Sequence, residues 1–277
     1  MNIRFSPVAA ALLLALLPPA ALAGPIVFEA SGSNASAIQA TVDAFRFALG
    51  SPNNGNNSGP LASGRREINW DGAPPGATAT AKADPIFAGF KNSRGALFTT
   101  SGSGFEQAIL DDIVDNPSYA TTFSTFSPRR VFTPVGSNVT DATFFTPGSP
   151  SSAFVTAFGA VFSDVDLAGS TRVEFFGLGG GPLFSQFVLP GTTASGSLSF
   201  LGVQFDGGEL ITRARITTGN AALGPNDGGG VDLVVMDDLL YSEPQSVPEP
   251  GSLSLLAIGA AAVALARRKR VSIRPSR

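Results

Sequence analysis

One long, mostly apolar stretch near the end of the domain reads Val231-Asp232-Leu233-Val234-Val235-Met236-Asp237-Asp238-Leu239-Leu240-Tyr241. Strict alternation along a strand would place Leu239 on the same face as Asp237, and Met236 on the opposite face with Asp238. A strand that is apolar on both faces is typical of the centre of a sheet whose two sides are both covered. The stretch therefore predicts a central strand in which one of two adjacent acids is substantially buried.

Seven further apolar segments precede this strand, and turn signals rich in Gly and Pro separate them. Short strands at such spacing are typical of antiparallel sandwiches and barrels. We therefore predict an all-β fold, a jelly-roll-like antiparallel β-sandwich. The sequence has no repeat of fixed period, which argues against a propeller or a solenoid. The segments are residues 96–100, 142–146, 153–163, 171–177, 184–189, 198–205 and 210–218.

One helix is predicted near the N-terminus of the domain, over residues 34–49. Ser33 or Asn34 can cap its start, and Gly50 can end it. Residues 51–64, rich in Asn, Gly and Ser, predict a flexible loop after it. The side chains that share the apolar face of the helix are Ile38, Val42, Phe45 and Leu49.

The composition limits the chemistry of the chain. It contains 22 Phe but no Cys and no His, so disulfides, His-dependent nucleophile systems and zinc sites built on His or Cys are excluded within it. Carboxylate chemistry and metals with oxygen ligands remain open. Between residues 24 and 246 there are 11 Lys and Arg against 20 Asp and Glu, a net charge of −9. This acidic balance argues against binding of nucleic acid.

The N-terminus has the pattern of a secretory signal peptide over residues 1–23. A single basic residue, Arg4, precedes an apolar run over residues 8–17, and small residues end at Ala23 before Gly24. The alternative is a buried N-terminal helix, which two adjacent prolines disfavour. We predict that signal peptidase cleaves after Ala23, so that the secreted β-sandwich domain spans residues 24–246.

Residues 247–277 carry three successive features. The motif Val247-Pro248-Glu249-Pro250 comes first, an apolar run over residues 252–266 follows, and the basic cluster Arg267-Arg268-Lys269-Arg270 closes the segment. The run predicts a separate C-terminal transmembrane helix, although about 20 residues is the ideal length of a span. A basic cluster stays on the cytoplasmic side, which places the preceding domain outside.

This order of features resembles the PEP-CTERM sorting signal of Gram-negative bacteria. The resemblance implies that a membrane exosortase removes the helix, so that the protein is transiently anchored in the inner membrane and then reaches the cell surface or the extracellular matrix. The alternative is a permanent membrane anchor that is never cut.

Three stretches of the domain resemble uncharacterised secreted bacterial proteins. That resemblance implies a similar fold and an exported location, and it implies no particular reaction. The stretches are residues 64–72, 158–166 and 235–238.

Two metal hypotheses follow from the acids. Carbohydrate-binding jelly rolls pair a late Asp-Asp strand with an early Glu around a structural calcium, and Asp237, Asp238 and Glu29 resemble that set. The alternative is an ion pair with an internal arginine, either Arg213 or Arg215.

The second hypothesis concerns Asp164 and Asp166, which follow a predicted strand and could chelate an ion or form a solvated turn. The Gly-rich stretch 226–232 faintly resembles a calcium-binding repeat, against the alternative of a plain loop.

The densest polar cluster surrounds Trp70, the only Trp of the chain. Trp70 could stack on a sugar ring while Asn69 and Asp71 bind its hydroxyls, or it could pack in the core while Arg65 and Arg66 pair with acids.

Three functions follow from these features. The first is an exported surface or matrix protein without catalysis, and the second is a glycan-binding module associated with extracellular polysaccharide. The third is a carboxylate-based glycosidase, which needs two carboxylates about 5–10 Å apart. No spacing in the sequence singles out such a pair, so we predict that the protein is not an enzyme.

Overall fold

The computed structural model describes residues 24–72, 79–82, 84–191, 195–224 and 227–247. The predicted signal peptide, most of the sorting segment and the predicted helix over residues 252–266 lie outside these ranges. Within them, no helix has the length and apolar character of a membrane span.

The chain contains sixteen strands in these ranges, together with three short or medium α-helices and two 3₁₀ turns at Leu110–Asp115 and Leu178–Gly180. The helices are α1 (Ala35–Leu49), α2 (Lys91–Arg94) and α3 (Tyr119–Thr122). The strands are β1 (Ile26–Gly32), β2 (Arg65–Ile68), β3 (Ala79–Lys82), β4 (Ile86–Phe87), β5 (Ala96–Thr100), β6 (Gly104–Ile109), β7 (Arg130–Val135), β8 (Val139–Phe144), β9 (Ala153–Phe154), β10 (Ala157–Ser163), β11 (Arg172–Phe176), β12 (Pro182–Phe187), β13 (Leu198–Gln204), β14 (Arg213–Thr217), β15 (Val235–Ser242) and β16 (Gln245–Ser246).

Two antiparallel sheets make up most of the fold. The first sheet has the order β1-β13-β10-β15-β7-β6-β3, and β2 also pairs with β15. The second sheet has the order β12-β11-β14-β8-β5-β4, and β9 forms a small separate pair with β16. The prediction of a mostly antiparallel β fold is confirmed, and the jelly-roll connectivity stays a prediction.

The main core lies between the two sheets and is rich in Phe. Phe158 and Phe162 of the first sheet belong to one buried cluster with Phe98, Phe144 and Phe175 of the second sheet. Aromatic side chains bury large apolar areas, so this layer supplies much of the driving force for packing the sheets together.

The strand β15 is central, as the sequence predicts, but its two faces do not alternate strictly. Its pairing with β10 shifts by one residue, so that Val161 faces both Asp237 and Asp238. This β-bulge lets Met236 and Leu239 both enter the core between the sheets. The predicted assignment of the two acids to opposite faces is therefore wrong, because a bulge resets the alternation between them.

The helix α1 packs on the outer face of the first sheet, and its predicted boundaries and buried face are confirmed. Asn34 caps it, since its side-chain oxygen accepts a hydrogen bond from the backbone N–H of Ala37 at 3.2 Å. The four predicted apolar residues are buried against the sheet.

Two glycines of the sheet make room for this helix. Gly159 of β10 and Gly202 of β13 are register partners, and the ring of Phe45 lies over both. A Cβ atom added at either glycine would meet that ring at 2.8 Å. Phe28 and Phe200 contact the same ring from the sides, with centroid separations of 5.3 and 5.5 Å.

We expect Gly202→Ala to destabilise the domain by about 1–3 kcal/mol, because the Phe45 ring has to move out of a packed site. Gly181→Ala is the matched control, since a Cβ there meets no atom within 4 Å. Thermal unfolding followed by circular dichroism measures both. Equal melting temperatures for the two variants would contradict this account of helix docking.

Candidate functional site

The adjacent acids of β15 are both buried at the bulge. The side chain of Asp237 accepts a hydrogen bond from the backbone N–H of Phe126 at 2.6 Å. The hydroxyl of Ser127 lies 2.6 Å from Asp238 Oδ1 and 3.3 Å from Asp237 Oδ1. Arg46 of α1 reaches Asp238 Oδ2 at 3.4 Å. Hydrogen-bond donors of the protein therefore hold both carboxylates in place.

Burial dominates the electrostatics of the pair. Desolvation, followed by the neighbouring charge of Asp238, raises the pKa of Asp237 well above its ordinary value. Desolvation also raises the pKa of Asp238, while hydrogen bonding to Ser127 and the charge of Arg46 act in the opposite direction. The site therefore disfavours two negative charges side by side.

The structure does not bring Glu29 together with Asp237 and Asp238. Glu29 is exposed on the edge strand β1. Across the sheet, Glu29 pairs with Leu201 of β13, Leu201 pairs with Ala160 of β10, and Ala160 pairs with Leu239 of β15. Three strand spacings separate it from β15, roughly 14 Å. The predicted metal set is therefore not assembled, because the early Glu lies on an outer strand of the same sheet.

The alternative of an internal arginine agrees with the structure, but the arginine is different from the two that were predicted. Arg213 and Arg215 lie on β14 of the second sheet, where both bond to Asp141 at 2.8 Å. Arg46 occupies the predicted role. Sequence alone does not reveal it, because α1 and β15 are far apart in the chain.

A second buried pair lies at the end of β15. Arg66 Nε donates to Glu243 Oε2 at 2.6 Å and Arg66 Nη2 donates to Oε1 at 2.7 Å. Asn54 and the backbone N–H of Leu61 donate to the same carboxylate. Arg65 pairs with Glu67 at 2.6 Å. The expectation that these arginines pair with acids therefore agrees with the structure.

Trp70 packs in the core and is only 1% exposed. Its ring stacks on Phe132 at a centroid separation of 3.7 Å. Its indole N–H donates to the backbone carbonyl of Asp237 at 2.6 Å. Phe132 covers one face of the ring, and Phe87, Phe90 and Phe98 make edge or tilted contacts with it. Since the side chain is also buried, the structure agrees with the core interpretation and leaves no exposed ring for a sugar.

The two residues next to Trp70 in the sequence have different roles, one in the fold and one at the surface. Asp71 accepts hydrogen bonds from the backbone N–H groups of Arg129 and Arg130, which orders the entry to β7. Asn69 is exposed and borders a polar cavity of about 290 Å³. The other residues around that cavity are Arg46, Asn53, Glu67, Arg94, Ser127 and Asp238.

Three other acids converge at the opposite end of β15. Asp164 and Asp166 follow β10, and Asp227 lies in the loop before β15. One carboxylate oxygen from each lies within 4.8 Å of the other two. Sequence analysis identified the first two acids and the Gly-rich loop, but it did not connect them. The pairing of β10 with β15 is what connects these acids. The two strands are antiparallel neighbours, so the end of one lies beside the start of the other.

One comparison with known proteins finds a match, and the match covers one segment. A family model for the PEP-CTERM protein-sorting motif matches residues 246–270. No curated protein and no solved structure matches the chain. The resemblance of the C-terminal segment to this sorting signal is thereby confirmed, whereas the resemblance of the domain to secreted proteins stays a prediction.

We expect Asp237→Asn to become increasingly stabilising, relative to the wild type, as the pH rises from 4 to 8. The folded state holds a proton on Asp237 more tightly than the unfolded chain, whose Asp pKa is about 3.9. The contribution of Asp237 to stability is thus present in full below about pH 4 and is lost as the pH rises through the folded-state pKa. A neutral amide avoids that loss and still accepts from Phe126.

Melting temperatures at several pH values measure this difference. Asp206→Asn is the control, since Asp206 is exposed. A difference between Asp237→Asn and wild type that stays constant from pH 4 to 8 would refute the assignment of a raised pKa to Asp237.

Proposed function

We propose that this chain is an exported surface or matrix protein whose mature domain is a non-enzymatic β-sandwich. The sorting motif implies export, transient anchoring in the membrane and processing by an exosortase. The observation that carries the proposal is that the motif begins at Ser246, the last residue of the last described strand. The match to the sorting signal therefore starts within the last described strand of the domain.

The geometry at this boundary suits removal of the tail. Gln245 and Ser246 pair with β9, and the backbone N–H of Val247 donates to the carbonyl of Ser152 at 3.2 Å. A cut after Val247 would leave every described strand in place. The domain would then be released as a complete fold.

The roles of the buried polar residues support a structural function. Asp237 and Asp238 hold the segment before β7, and Glu243 holds Arg66. Asp71 also accepts hydrogen bonds from this segment. These side chains are engaged in fixing the backbone, which supports a scaffold over a carboxylate-based glycosidase.

The test is the mass of the protein at the surface of a host that has an exosortase. We expect the released protein to begin at Gly24 and to contain no peptide from residues 253–277. A variant with Pro248→Ala, Glu249→Ala and Pro250→Ala should stay bound to the membrane with its tail intact, while its melting temperature is unchanged. Release of that variant with the same mass as wild type would overturn the role of the motif.

A second candidate function is binding of the extracellular polysaccharide, and the polar cavity favours it. Asn53, Glu67 and Asn69 border this cavity, and their amide and carboxylate groups can pair with sugar hydroxyls. The site would be built from these polar side chains and not from Trp70, which is buried.

Asn69→Ala tests this second function, with Asn57→Ala as the control because Asn57 is exposed and does not border the cavity. We expect Asn69→Ala to weaken binding to the host polysaccharide in co-sedimentation by about tenfold, the effect of losing about 1.4 kcal/mol. Binding that is absent in the wild type, or equal in both variants, would rule out polysaccharide binding at this cavity.

A further inference from the structure

The carboxylates of Asp164, Asp166 and Asp227 come from two segments that the sheet brings together. Asp164 and Asp166 lie just beyond the end of β10, and Asp227 lies before the start of β15. Their oxygen atoms approach within 4.8 Å of one another. Three ionised carboxylates at this separation would repel one another, so the cluster favours binding of either a proton or a cation.

Asp164 provides independent evidence for such a partner. Its side chain is fully buried, with 0% exposed. Its Oδ1 accepts a hydrogen bond from the backbone N–H of Gly196 at 3.0 Å. Its Oδ2 has no hydrogen-bond partner within the ranges that the structure describes. A buried carboxylate oxygen without a partner is costly, because it has lost its water and gained nothing in return.

The surrounding charges make this cost larger. Desolvation raises the pKa of Asp164 to about 8, and the charges of Asp166 and Asp227 add to the effect. The pKa of Asp166 is also raised, first by desolvation and then by the charges of Asp227 and Asp232. The charged groups that act on Asp164 are thus further carboxylates, and a bound cation would reverse their effect.

A fourth acid holds the site in position without belonging to it. Asp232 accepts hydrogen bonds from the backbone N–H groups of Asp166 and Leu167 at 3.1 and 3.2 Å, and from the hydroxyl of Ser170. Both of its oxygens are therefore used. These bonds fix the segment that follows β10 to the segment that precedes β15, and these two segments carry the three clustered acids.

We propose that Asp164, Asp166 and Asp227 bind one divalent cation of the calcium class. Calcium takes oxygen ligands at about 2.3–2.6 Å, so two of its ligands lie at most about 5 Å apart, as these carboxylates do. The chain has neither His nor Cys, so the ligands that it can offer are oxygen atoms. Oxygen ligands favour hard cations.

The cation would cross-link the start of β15 to the end of β10. The chain has no Cys, so a disulfide cannot do this. The inference needs only that the folded domain meets calcium, and it does not depend on tail cleavage or on polysaccharide binding. If tail cleavage or polysaccharide binding were disproved, the proposed cation site would be unaffected.

The direct test is isothermal titration calorimetry of the exported, folded protein with calcium chloride, where we expect one site per chain. Extracellular calcium modules have Kd values of about 10⁻⁴–10⁻³ M. Calcium at about 10 mM should therefore raise the melting temperature by roughly 3–10 °C over chelator. An unchanged melting curve together with no heat of binding would overturn the proposal.

Variants locate the site. Asp166→Asn and Asp227→Asn should each abolish the calcium shift, and Asp166→Asn should also raise the melting temperature in chelator because it removes a repelling charge. Asp206→Asn and Asp237→Asn should keep the full shift, since neither belongs to the cluster. A shift that persists in both cluster variants, or an equal shift with magnesium at the same concentration, would overturn the assignment.

Discussion

The buried ion pair between Arg66 and Glu243 is the interaction on which the arrangement of this domain depends. Both side chains are almost inaccessible, with 0% and 3% exposed, so neither charge can turn to water instead. The remaining N–H groups of Arg66 donate to the carbonyls of Gly55 and Asn57. One guanidinium thus joins the loop after α1, the strand β2 and the end of β15. Removing one partner of such a pair typically costs about 3–5 kcal/mol, because the other charge stays buried.

The strand β15 connects this pair to the other polar sites. It begins beside the three clustered acids, carries Asp237 and Asp238 at its bulge, and leads into Glu243. Each site fixes a segment whose position the hydrophobic pattern of the sequence does not determine. These segments are the loop before β15, the segment before β7, and the loop after α1. A strand register that slips by one residue would move Asp237 towards the core between the sheets. The buried acids therefore penalise incorrect pairings of a strand that is apolar on both faces.

Much of the fold could be predicted from local pattern, and the sites could not. The helix α1 has the boundaries that its apolar period and the Asn34 cap indicate, and Ala96–Thr100 is the strand that the sequence predicts. Seven described strands have no predicted counterpart, namely β1 to β4, β6, β7 and β16. In β6 and β7, polar residues and a Pro interrupt the apolar runs. The partners of Asp237 and Asp238 are 110 or more residues away in the chain. Periodicity carries no information about such contacts, and a single bulge is enough to invert a face assignment.

The sorting motif begins close in sequence to the same interaction. Glu243 is bound by Arg66, and only two residues later the chain enters β16, where the sorting motif begins. The last described strand thus ends within three residues of this ion pair. The charge buried at the end of β15 therefore stabilises the part of the domain that directly precedes the sorting motif.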